Sequence, residues 1–286
     1  RPPMTSNLTS KLIGRGSHSL VFQYQHAVTG ETYAVKEPRS PAAKLACQSP
    51  QGVKDALMLA ELDHENVVCH RYGRTDGSMV MEYVEGGSLL DVMERSGGKL
   101  SEFHTAHFTR QILQGVSYLH SKGVTHRDIK PANVLFDSHT GTVKITDIVS
   151  VAEASTMKRS GVIVPVGTPS FLAPEVVVTG NHEPASDIWA LGCCVLQLLT
   201  GRIPWYEEDS KFSSLFKIGN GQHPKLPDGL SASANSFLLA CFQPIESRPS
   251  ADDLLKHSLI AGLVAHPPSQ LSSTEVEIPP SGPPSP

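Results

Sequence analysis

The stretch THRDIKPANVLF, residues 125–136, decides the fold and function class of this 286-residue chain. Asp128, Lys130 and Asn133 stand within six residues of one another, with apolar residues on both sides. An Asp can accept or align a hydroxyl proton, a Lys can neutralise phosphate charge and an Asn can complete a metal shell. A charged loop with an Asx turn would not require this ordered set, so the stretch indicates a chemical site.

A second acidic residue follows in the stretch KITDIV, residues 144–149. Asp147 comes nineteen residues after Asp128, at the end of a strand-like apolar run. A carboxylate in this position is either an ordinary turn residue or a metal ligand. The local sequence leaves both alternatives open.

Two further features near the N-terminus could serve a phosphate group. The stretch GRGSHS, residues 14–19, separates two strand-like segments, and its glycines let backbone amides approach a phosphate closely. A hairpin turn is at least as common an explanation, and no helix follows, so a dinucleotide-binding turn is excluded. Lys36 ends the run YAVK, where a lone lysine is usually solvated.

Composition gives no support for several classes of function. The chain is 39% hydrophobic and 18% charged, and its net charge of −4 gives no reason to expect nucleic acid or an acidic membrane as partner. No apolar run reaches the roughly 18 to 20 residues of a membrane span. The five cysteines are an odd number without a CxxC pair, which predicts a reducing compartment and a cytoplasmic location.

The element pattern predicts an α+β chain of two lobes. The first hundred residues are mostly strand-like, with one main helix predicted within 51–64 from the spacing of Val53, Ala56, Leu57 and Ala60. Helices dominate afterwards: one follows an N-cap at Ser101, and another is predicted from Ser186 to Gly201. Residues 263–286 are rich in Pro and Ser and predict a disordered tail.

Seven motifs in sequence order resemble those of eukaryotic protein kinase catalytic domains. The resemblance covers residues 8–262 and implies a small β-rich N-lobe over about 8–84 and a larger helical C-lobe over about 85–262. A chance occurrence of any single motif is plausible, but all seven in order leave little room for another fold. The motifs are GRGSHSLV, YAVK, HRDIKPAN, TDIV, GTPSFLAPE, SDIWALGC and SRPSA.

The resemblance implies ATP and Mg²⁺ as cofactors and assigns the catalytic roles. Lys36 would hold the α- and β-phosphates, and Asp128 would orient the substrate hydroxyl and accept its proton. Lys130 would stabilise the transferring phosphoryl group. Asn133 and Asp147 would bind the magnesium ions.

The resemblance also implies an ATP-binding cleft and a buried structural ion pair. Val21, Ala34 and Leu135, with Ile13, would sandwich the adenine. Met81 would be the gatekeeper, followed by a hinge from Glu82 to Val84. Glu175 and Arg248 would form the structural pair. The full set assigned to ATP is Ile13, Gly14, Arg15, Gly16, Ser17, His18, Ser19, Val21, Ala34, Lys36, Met81, Glu82, Val84, Ser88 and Leu135.

Within the family, Lys130 and the stretch GTPSF resemble the Ser/Thr branch, and YAVKE and MEYVEGGSL resemble MAP kinase kinase kinases. This implies a protein substrate, with a MAP kinase kinase as candidate, and control by an upstream activator or by autophosphorylation. Arg127 resembles the arginine that pairs with an activation-loop phosphate. Ser155, Thr156 and Ser160 are the candidate phosphorylation sites, and a merely hydrophilic loop is an equally good explanation for each.

Three positions depart from the family pattern and leave a second function open. Ser19 replaces the third glycine of the loop. Asp55 stands where a glutamate pairs with the strand lysine; Glu61 is a rival, but four residues after Asp55 comes the apolar Leu59. Ile148–Val149 replaces Phe-Gly, and we expect Val149 to keep Asp147 in its metal-binding arrangement and to make flipped states rarer. The alternative function is a weakly active or inactive kinase-like scaffold that binds partners.

Overall fold

The computed structural model describes residues 8–16, 19–149 and 166–262. A five-stranded antiparallel sheet, in the order β1-β2-β3-β5-β4, forms the N-terminal lobe. Tyr24 and Tyr33 face each other across β2 and β3, and their rings stack at 5.8 Å, which fixes the pairing register. The strands are β1 (Leu8–Arg15), β2 (Ser19–His26), β3 (Thr32–Pro38), β4 (His70–Gly73) and β5 (Met79–Glu82).

The N-lobe holds two helices, α1 (Pro41–Gln48) and α2 (Pro50–Ala60), where the sequence predicted one. Each begins with the same signal: a serine accepts a hydrogen bond from a backbone N–H in the first turn, and a proline follows it. The caps are Ser40 and Ser49. The repeated Ser-Pro pair could have revealed α1, because proline at the first helical position starts a helix.

The face of α2 that packs inward is not the apolar stripe that predicted the helix. Val53 and Leu57 are 50% and 64% exposed, whereas Asp55 and Leu59 are buried. Helix α2 lies close to α1, since a Cβ added to Gly52 would lie 2.3 Å from the carbonyl oxygen of Ala46. The expectation that Leu59 packs inward four residues after Asp55 is confirmed.

The C-terminal lobe is helical around one large apolar core, as predicted. Helix α4 (Glu102–Ser121) is capped by Ser101, as predicted. Helix α6 (Pro184–Thr200) begins two residues before the predicted Ser186, because Glu183 and Ser186 form a reciprocal cap, and Gly201 is its C-cap. The remaining helices are α3 (Leu89–Arg95), α5 (Pro174–Thr179), α7 (Lys211–Gly219), α8 (Ala232–Cys241), α9 (Ala251–Leu254) and α10 (Ser258–Ala261).

A small hairpin of β6 (Val134–Phe136) and β7 (Val143–Ile145) connects the core of the large lobe to the N-lobe. The backbone N–H of Val68 donates to the carbonyl oxygen of Ile145 at 2.9 Å. The two ends of this hairpin carry the sequence motifs, because Asn133 precedes β6 and Asp147 follows β7. In the described part of the chain, no helix is long and apolar enough to span a bilayer.

Candidate active site

A buried carboxylate on α6 shapes the loop that contains Asp128. Asp187 accepts hydrogen bonds from the backbone N–H groups of His126, at 2.8 Å, and Arg127, at 2.9 Å. Arg127 is left-handed, with φ of 74°, a backbone conformation that the side chain of a non-glycine residue disfavours. The two hydrogen bonds to Asp187 stabilise that turn.

The charge of Asp187 is stabilised although the residue is only 1% exposed. Burial alone would raise the pKa of this carboxyl, but hydrogen bonds from His120 and from the His126 backbone outweigh it and lower the pKa. Sequence reasoning treated SDIWALGC only as a buried helix and missed this role. An acidic residue in an otherwise apolar helix was the available signal.

His126 links the Asp128 loop to the strand that ends at Asp147. Its Nε2 lies 2.8 Å from the carbonyl oxygen of Thr146, and its Nδ1 accepts from the backbone N–H of Asp128 at 3.2 Å. These partners assign the proton to Nε2. The side chain is fully buried, so the two halves of the site are held as one unit.

Four hydrogen bonds from three residues hold the Asp128 carboxylate. Thr168 donates to Oδ1 through its hydroxyl at 2.7 Å and its backbone N–H at 3.0 Å. Lys130 Nζ and Asn133 Nδ2 donate to Oδ2 at 2.7 and 2.9 Å. Lys130 also donates to the Thr168 hydroxyl at 2.7 Å. The carboxylate is therefore oriented from both sides and lies beside a fixed positive charge.

Lys36 reaches the second carboxylate of the site from β3. Its Nζ lies 3.4 Å from Oδ1 of Asp147. The positive charge of Lys36 lowers the pKa of Asp147 against the opposing effect of burial. Asp147 has φ of 61°, a left-handed conformation in which Asp is one of the better-tolerated residues.

Asn133 and Asp147 present the donor atoms that a magnesium ion requires. The amide nitrogen of Asn133 donates to Asp128, and within the described residues its Oδ1 accepts no hydrogen bond. The Asp147 side chain is 41% exposed to the cleft and stays ionised. Both are hard oxygen ligands, which Mg²⁺ prefers, so the residues present fit the ion.

Asp55 lies on the inner face of α2, and Glu61 is the exposed C-cap of the same helix. Asp55 is 5% exposed, accepts a hydrogen bond from Gln51 Nε2 at 2.7 Å, and lines a cavity of about 430 Å³ together with Lys36 and Asp147. The geometry therefore brings Asp55, and not Glu61, into the same space as the strand lysine.

Val149 replaces a glycine of the family pattern, and the backbone around it does not require a glycine. Ile148 is 5% exposed and belongs to the apolar cluster that contains Leu59 of α2. Val149 keeps negative φ, and its backbone N–H donates to the carbonyl oxygen of His126 at 3.2 Å. The left-handed residue in this segment is Asp147, so a β-branched side chain at position 149 fits without strain.

Most of the residues expected around adenine form one apolar cluster between the lobes. Ala34, Met81 and Val84 are buried there, and Val21 and Leu135 pack against them. Ile13 lies outside this cluster and is 42% exposed.

The hinge leaves the polar backbone groups of Tyr83 and Val84 open within the described residues. Among the described residues, the backbone N–H and C=O of Val84 make no hydrogen bond. The Glu82 side chain accepts from the Cys69 backbone at 2.7 Å and from Lys144 Nζ at 3.0 Å. The side chain of Ser88 forms a reciprocal cap with Asp91 at the start of α3.

The glycine-rich stretch lies at the turn between β1 and β2. Gly14 and Arg15 close β1, and the N–H of Gly16 donates to the carbonyl oxygen of Ser19 at 2.9 Å. The remaining predictions fall outside the described residues: these are Ser17, His18, Ser155, Thr156, Ser160 and the tail 263–286.

Glu175 and Arg248 meet at the base of the large lobe. Arg248 Nη1 donates to Oε1 of Glu175 at 2.7 Å and Nη2 to Oε2 at 3.2 Å, a bidentate pair. The Arg248 side chain is fully buried and lies over the Trp189 ring at 5.2 Å. Burial raises the pKa of Glu175, but the Arg248 hydrogen bonds and charge outweigh it and lower the pKa.

Comparison with known proteins agrees with this geometry. The protein kinase domain model matches residues 8–260. Mitogen-activated protein kinase kinase kinase 3 of Arabidopsis thaliana is 40% identical over 272 residues, covering 91% of this chain and 47% of the relative. ANP1, a mitogen-activated protein kinase kinase kinase of the same plant, is 36% identical over 275 residues, covering 91% and 40%.

A fungal relative matches at a similar level. Cell division control protein 7 of Schizosaccharomyces pombe is 38% identical over 250 residues, covering 86% of this chain and 23% of the relative. The chain therefore spans less than half the length of these relatives. The bilobal fold, the ordered site and the match over residues 8–260 lead to one conclusion: this chain belongs to the protein kinase family, and it is similar to relatives named mitogen-activated protein kinase kinase kinase.

Proposed function

We propose that the chain is an active kinase that transfers the γ-phosphate of ATP to Ser or Thr hydroxyls of a protein substrate. One observation carries the proposal: the Asp128 carboxylate is held by Thr168, Lys130 and Asn133. A carboxylate fixed in this way can orient a hydroxyl and accept its proton.

Each polar side chain of the site then has a role that its contacts permit. Asp128 aligns the substrate hydroxyl, and Lys130 supplies positive charge beside it. Lys36 lies next to Asp147, where a cation can hold phosphate oxygens while the carboxylate stays ionised. His126 and Asp187 touch the backbone of the loop and position it.

ATP and Mg²⁺ fit the groups around this cleft. Val21, Ala34 and Leu135 offer the adenine ring an apolar slot, and the Val84 backbone offers it a donor and an acceptor. Asn133 and Asp147 would hold Mg²⁺, which, when bound, neutralises the charge that develops on the phosphates. Gly14 and Gly16 would let the β1–β2 turn cover the phosphates.

Asp55 is the proposed partner of the strand lysine. It is buried on α2 and lines the cavity that also contains Lys36. Aspartate is one methylene shorter than glutamate, so this pairing requires α2 to lie close to β3. Helix α2 packs Leu59 against Ile148, which holds the helix inward.

A scaffold that binds partners without catalysis is the second candidate, because Asp55 and Val149 depart from the family pattern. Against it, Lys36, Asp128, Asn133 and Asp147 are all present. Lys36 and Asp147 are an ion pair, and Asn133 donates to Asp128. A chain that had lost catalysis would more usually have lost one of these four groups.

The proposal extends to the pathway. The two plant relatives carry the name mitogen-activated protein kinase kinase kinase, so a MAP kinase kinase is the proposed substrate. Phosphorylation at Ser155, Thr156 or Ser160, by an upstream kinase or by the chain itself, is the proposed control, with Arg127 as the group that would pair with the phosphate. A cytoplasmic location is proposed because the five cysteines are an odd number without a CxxC pair, which favours a reducing compartment.

The experiment is phosphoamino-acid mapping of a generic basic protein after incubation with the chain, Mg²⁺ and labelled ATP. The proposal predicts label on serine and threonine and none on tyrosine. Label on tyrosine would overturn the assignment to the Ser/Thr branch. Absence of label, with nucleotide binding retained, would favour the scaffold.

A further inference from the structure

A continuous row of apolar and aromatic side chains crosses the outer face of the N-lobe sheet. Phe22 on β2 lies directly opposite Val35 on β3. Val35 lies opposite Val80 on β5, which in turn lies opposite Tyr72 on β4. The side chains of residues that are directly opposite in antiparallel strands lie on the same face of the sheet. The row is therefore one contiguous surface across four neighbouring strands.

Two tyrosines widen this row into an aromatic surface. Tyr24 follows Phe22 by two residues on β2, so both lie on the same face, and their ring centroids are 6.4 Å apart. Tyr33 lies opposite Tyr24 and stacks on it at 5.8 Å, with 9° between the ring planes. Burial and the nearby Tyr72 both raise the pKa of Tyr33, so these two phenol groups are within electrostatic range of each other. We refer to Phe22, Tyr24, Tyr33 and Tyr72 together as the aromatic face.

The aromatic face points away from the ATP cleft. Successive residues of a strand point to opposite faces, and the intervening Ala34 and Met81 belong to the apolar cluster between the lobes. Val35 and Val80 form the floor of the aromatic face, at 2% and 3% exposed, whereas Tyr72 at its edge is 40% exposed. The aromatic rings therefore meet solvent on the side opposite to the catalytic site.

The tyrosines of this face also offer hydrogen-bond donors. Tyr24 donates its hydroxyl to Oε1 of Glu37 at 3.4 Å. Within the described residues, the hydroxyl groups of Tyr33 and Tyr72 make no hydrogen bond. Aromatic-lined surfaces recognise proline-rich segments in the polyproline II conformation. The carbonyl groups of such a segment have no internal hydrogen bonds, so they can accept from tyrosine hydroxyl groups.

This chain itself contains a proline-rich segment. Seven of the 24 residues from 263 to 286 are prolines, and the described part of the chain ends at Gly262, directly after α10. Helix α10 packs on α4 and α8 of the large lobe. At about 3.1 Å per residue, a polyproline II segment of this length spans roughly 75 Å. A globular unit of the size of residues 8–262 is roughly 50 Å across, so the segment is long enough to reach the sheet.

We propose that residues 263–286 dock on the aromatic face in the polyproline II conformation, with proline rings packed on Tyr33 and Tyr72. The hydroxyl groups of these two tyrosines donate to carbonyl oxygens of the segment. A tethered segment has an effective concentration on the order of millimolar, which favours it over proline-rich segments of other proteins or of a second copy. The aromatic face contains none of the proposed catalytic residues, so this inference is independent of the proposed function.

The test measures how the 286-residue chain binds a fluorescent peptide with the sequence of residues 263–286. The first variant, called the open variant, removes the prolines of the tethered segment. Its substitutions are Pro267→Ala, Pro268→Ala, Pro279→Ala, Pro280→Ala, Pro283→Ala, Pro284→Ala and Pro286→Ala. The second adds Tyr72→Thr to the open variant; threonine favours strands and the position is exposed, so the fold should tolerate it. The matched control adds Tyr206→Thr instead, which removes a 56% exposed tyrosine from the large lobe.

Fluorescence anisotropy gives the Kd of the peptide for each protein. The proposal predicts that the open variant binds the peptide at least about tenfold more tightly than the wild type, because the tethered prolines no longer compete. Addition of Tyr72→Thr should weaken binding roughly tenfold, and addition of Tyr206→Thr should leave the Kd unchanged. Equal Kd values for the wild type and the open variant would overturn the proposal. So would undetectable binding by the open variant, or a Kd that Tyr72→Thr does not change.

Two further measurements test for docking on a second copy and for loss of the fold. Sedimentation equilibrium of the wild type should show no dimer that depends on the prolines; a dimer that the open variant lacks would overturn the proposal, because the segment would then occupy a second copy. Circular dichroism checks the fold of the Tyr72→Thr protein. If that protein does not fold, Tyr72→Phe keeps the ring and removes the hydroxyl, and it should weaken binding roughly threefold. An unchanged Kd for Tyr72→Phe would overturn the proposed hydrogen bond.

Discussion

The backbone N–H of Val149 donates to the carbonyl oxygen of His126 at 3.2 Å. This contact ties the segment after the proposed metal ligand to the loop that carries Asp128. The left-handed φ of 61° falls on Asp147, one residue before Ile148 and two before Val149. The departure from Phe-Gly is therefore compatible with an assembled site, and we expect it to restrict how that segment can rearrange.

Val149→Gly should make rearrangement of this segment easier. Holding a glycine in an ordered backbone conformation costs up to about 1 kcal/mol more free energy than holding a residue with a side chain. The ordered arrangement of the segment is therefore less favourable in the variant, and flipped states of Asp147 gain population. We expect affinity to rise roughly fivefold for inhibitors that require Asp147 to leave the site, and to stay constant for inhibitors confined to the adenine slot. If the wild-type chain and Val149→Gly bind the inhibitors that displace Asp147 with equal affinity, Val149 does not restrict the segment.

Thr168→Val should slow transfer without unfolding the chain. The variant loses the hydroxyl that donates to Asp128 and accepts from Lys130 but keeps the backbone hydrogen bond. Hydrogen bonds to charged groups contribute about 1.5–3 kcal/mol, so kcat should fall roughly 10- to 100-fold. Thr168→Ser should restore most of the rate, and Thr200→Val, which removes a hydroxyl remote from the site, should leave it unchanged. A full rate in Thr168→Val would show that the hydroxyl has no positioning role.

Glu175→Gln should lower the free energy of unfolding by about 3 kcal/mol, because a fully buried guanidinium loses its charged partner. Chemical denaturation at pH 7 measures the change. Glu31→Gln is the control: its pair with Arg71 is exposed, and its loss should cost less than about 1 kcal/mol. Similar costs for the two variants would contradict the structural importance of the buried pair.

His70 should make the fold sensitive to mildly acidic pH. It is 6% exposed, and burial, together with the nearby charge of Lys36, lowers its pKa from 6.5 to about 4. Between these values the unfolded chain binds more protons, so stability is complete above pH 6.5 and falls as pH decreases toward 4. From pH 7.5 to 5, this contribution amounts to about 2 kcal/mol.

The variant His70→Leu isolates that contribution. Its unfolding free energy should decrease less than that of the wild type between pH 7.5 and 5, by the same ~2 kcal/mol, because all other titrating groups are shared. Urea titrations at the two pH values give the difference. Identical pH dependence in the two proteins would show that His70 does not resist protonation in the folded state.

The sequence predicted best those features that depend on residues close together in the chain. The set of Asp128, Lys130 and Asn133 within one short loop was readable, whereas Asp55 was assigned to the inner face of α2 only through the resemblance to protein kinases. Contacts between distant segments were not readable in the same way. Asp187 supports a backbone turn 60 residues earlier in the chain, and no local pattern reports which backbone an acidic side chain will meet.

The sequence prediction gave the N-lobe one helix too few, at a point where two prolines occur. Pro41 and Pro50 each follow a capping serine and start a helix, so α1 and α2 form where the sequence predicted a single helix. The apolar stripe of α2 lies on its exposed face because the buried face holds Asp55, Leu59 and Gly52, and Gly52 allows the close approach to α1. Hydrophobic spacing identified the helix but not its orientation.

The most direct test of the central claim is phosphate transfer from labelled ATP to a generic basic protein by the wild-type chain, Asp147→Ala and Asp128→Asn. The account predicts measurable transfer by the wild type and a loss of at least about a hundredfold in each variant, with the circular dichroism spectrum retained. Equal, background-level transfer by all three proteins would contradict it.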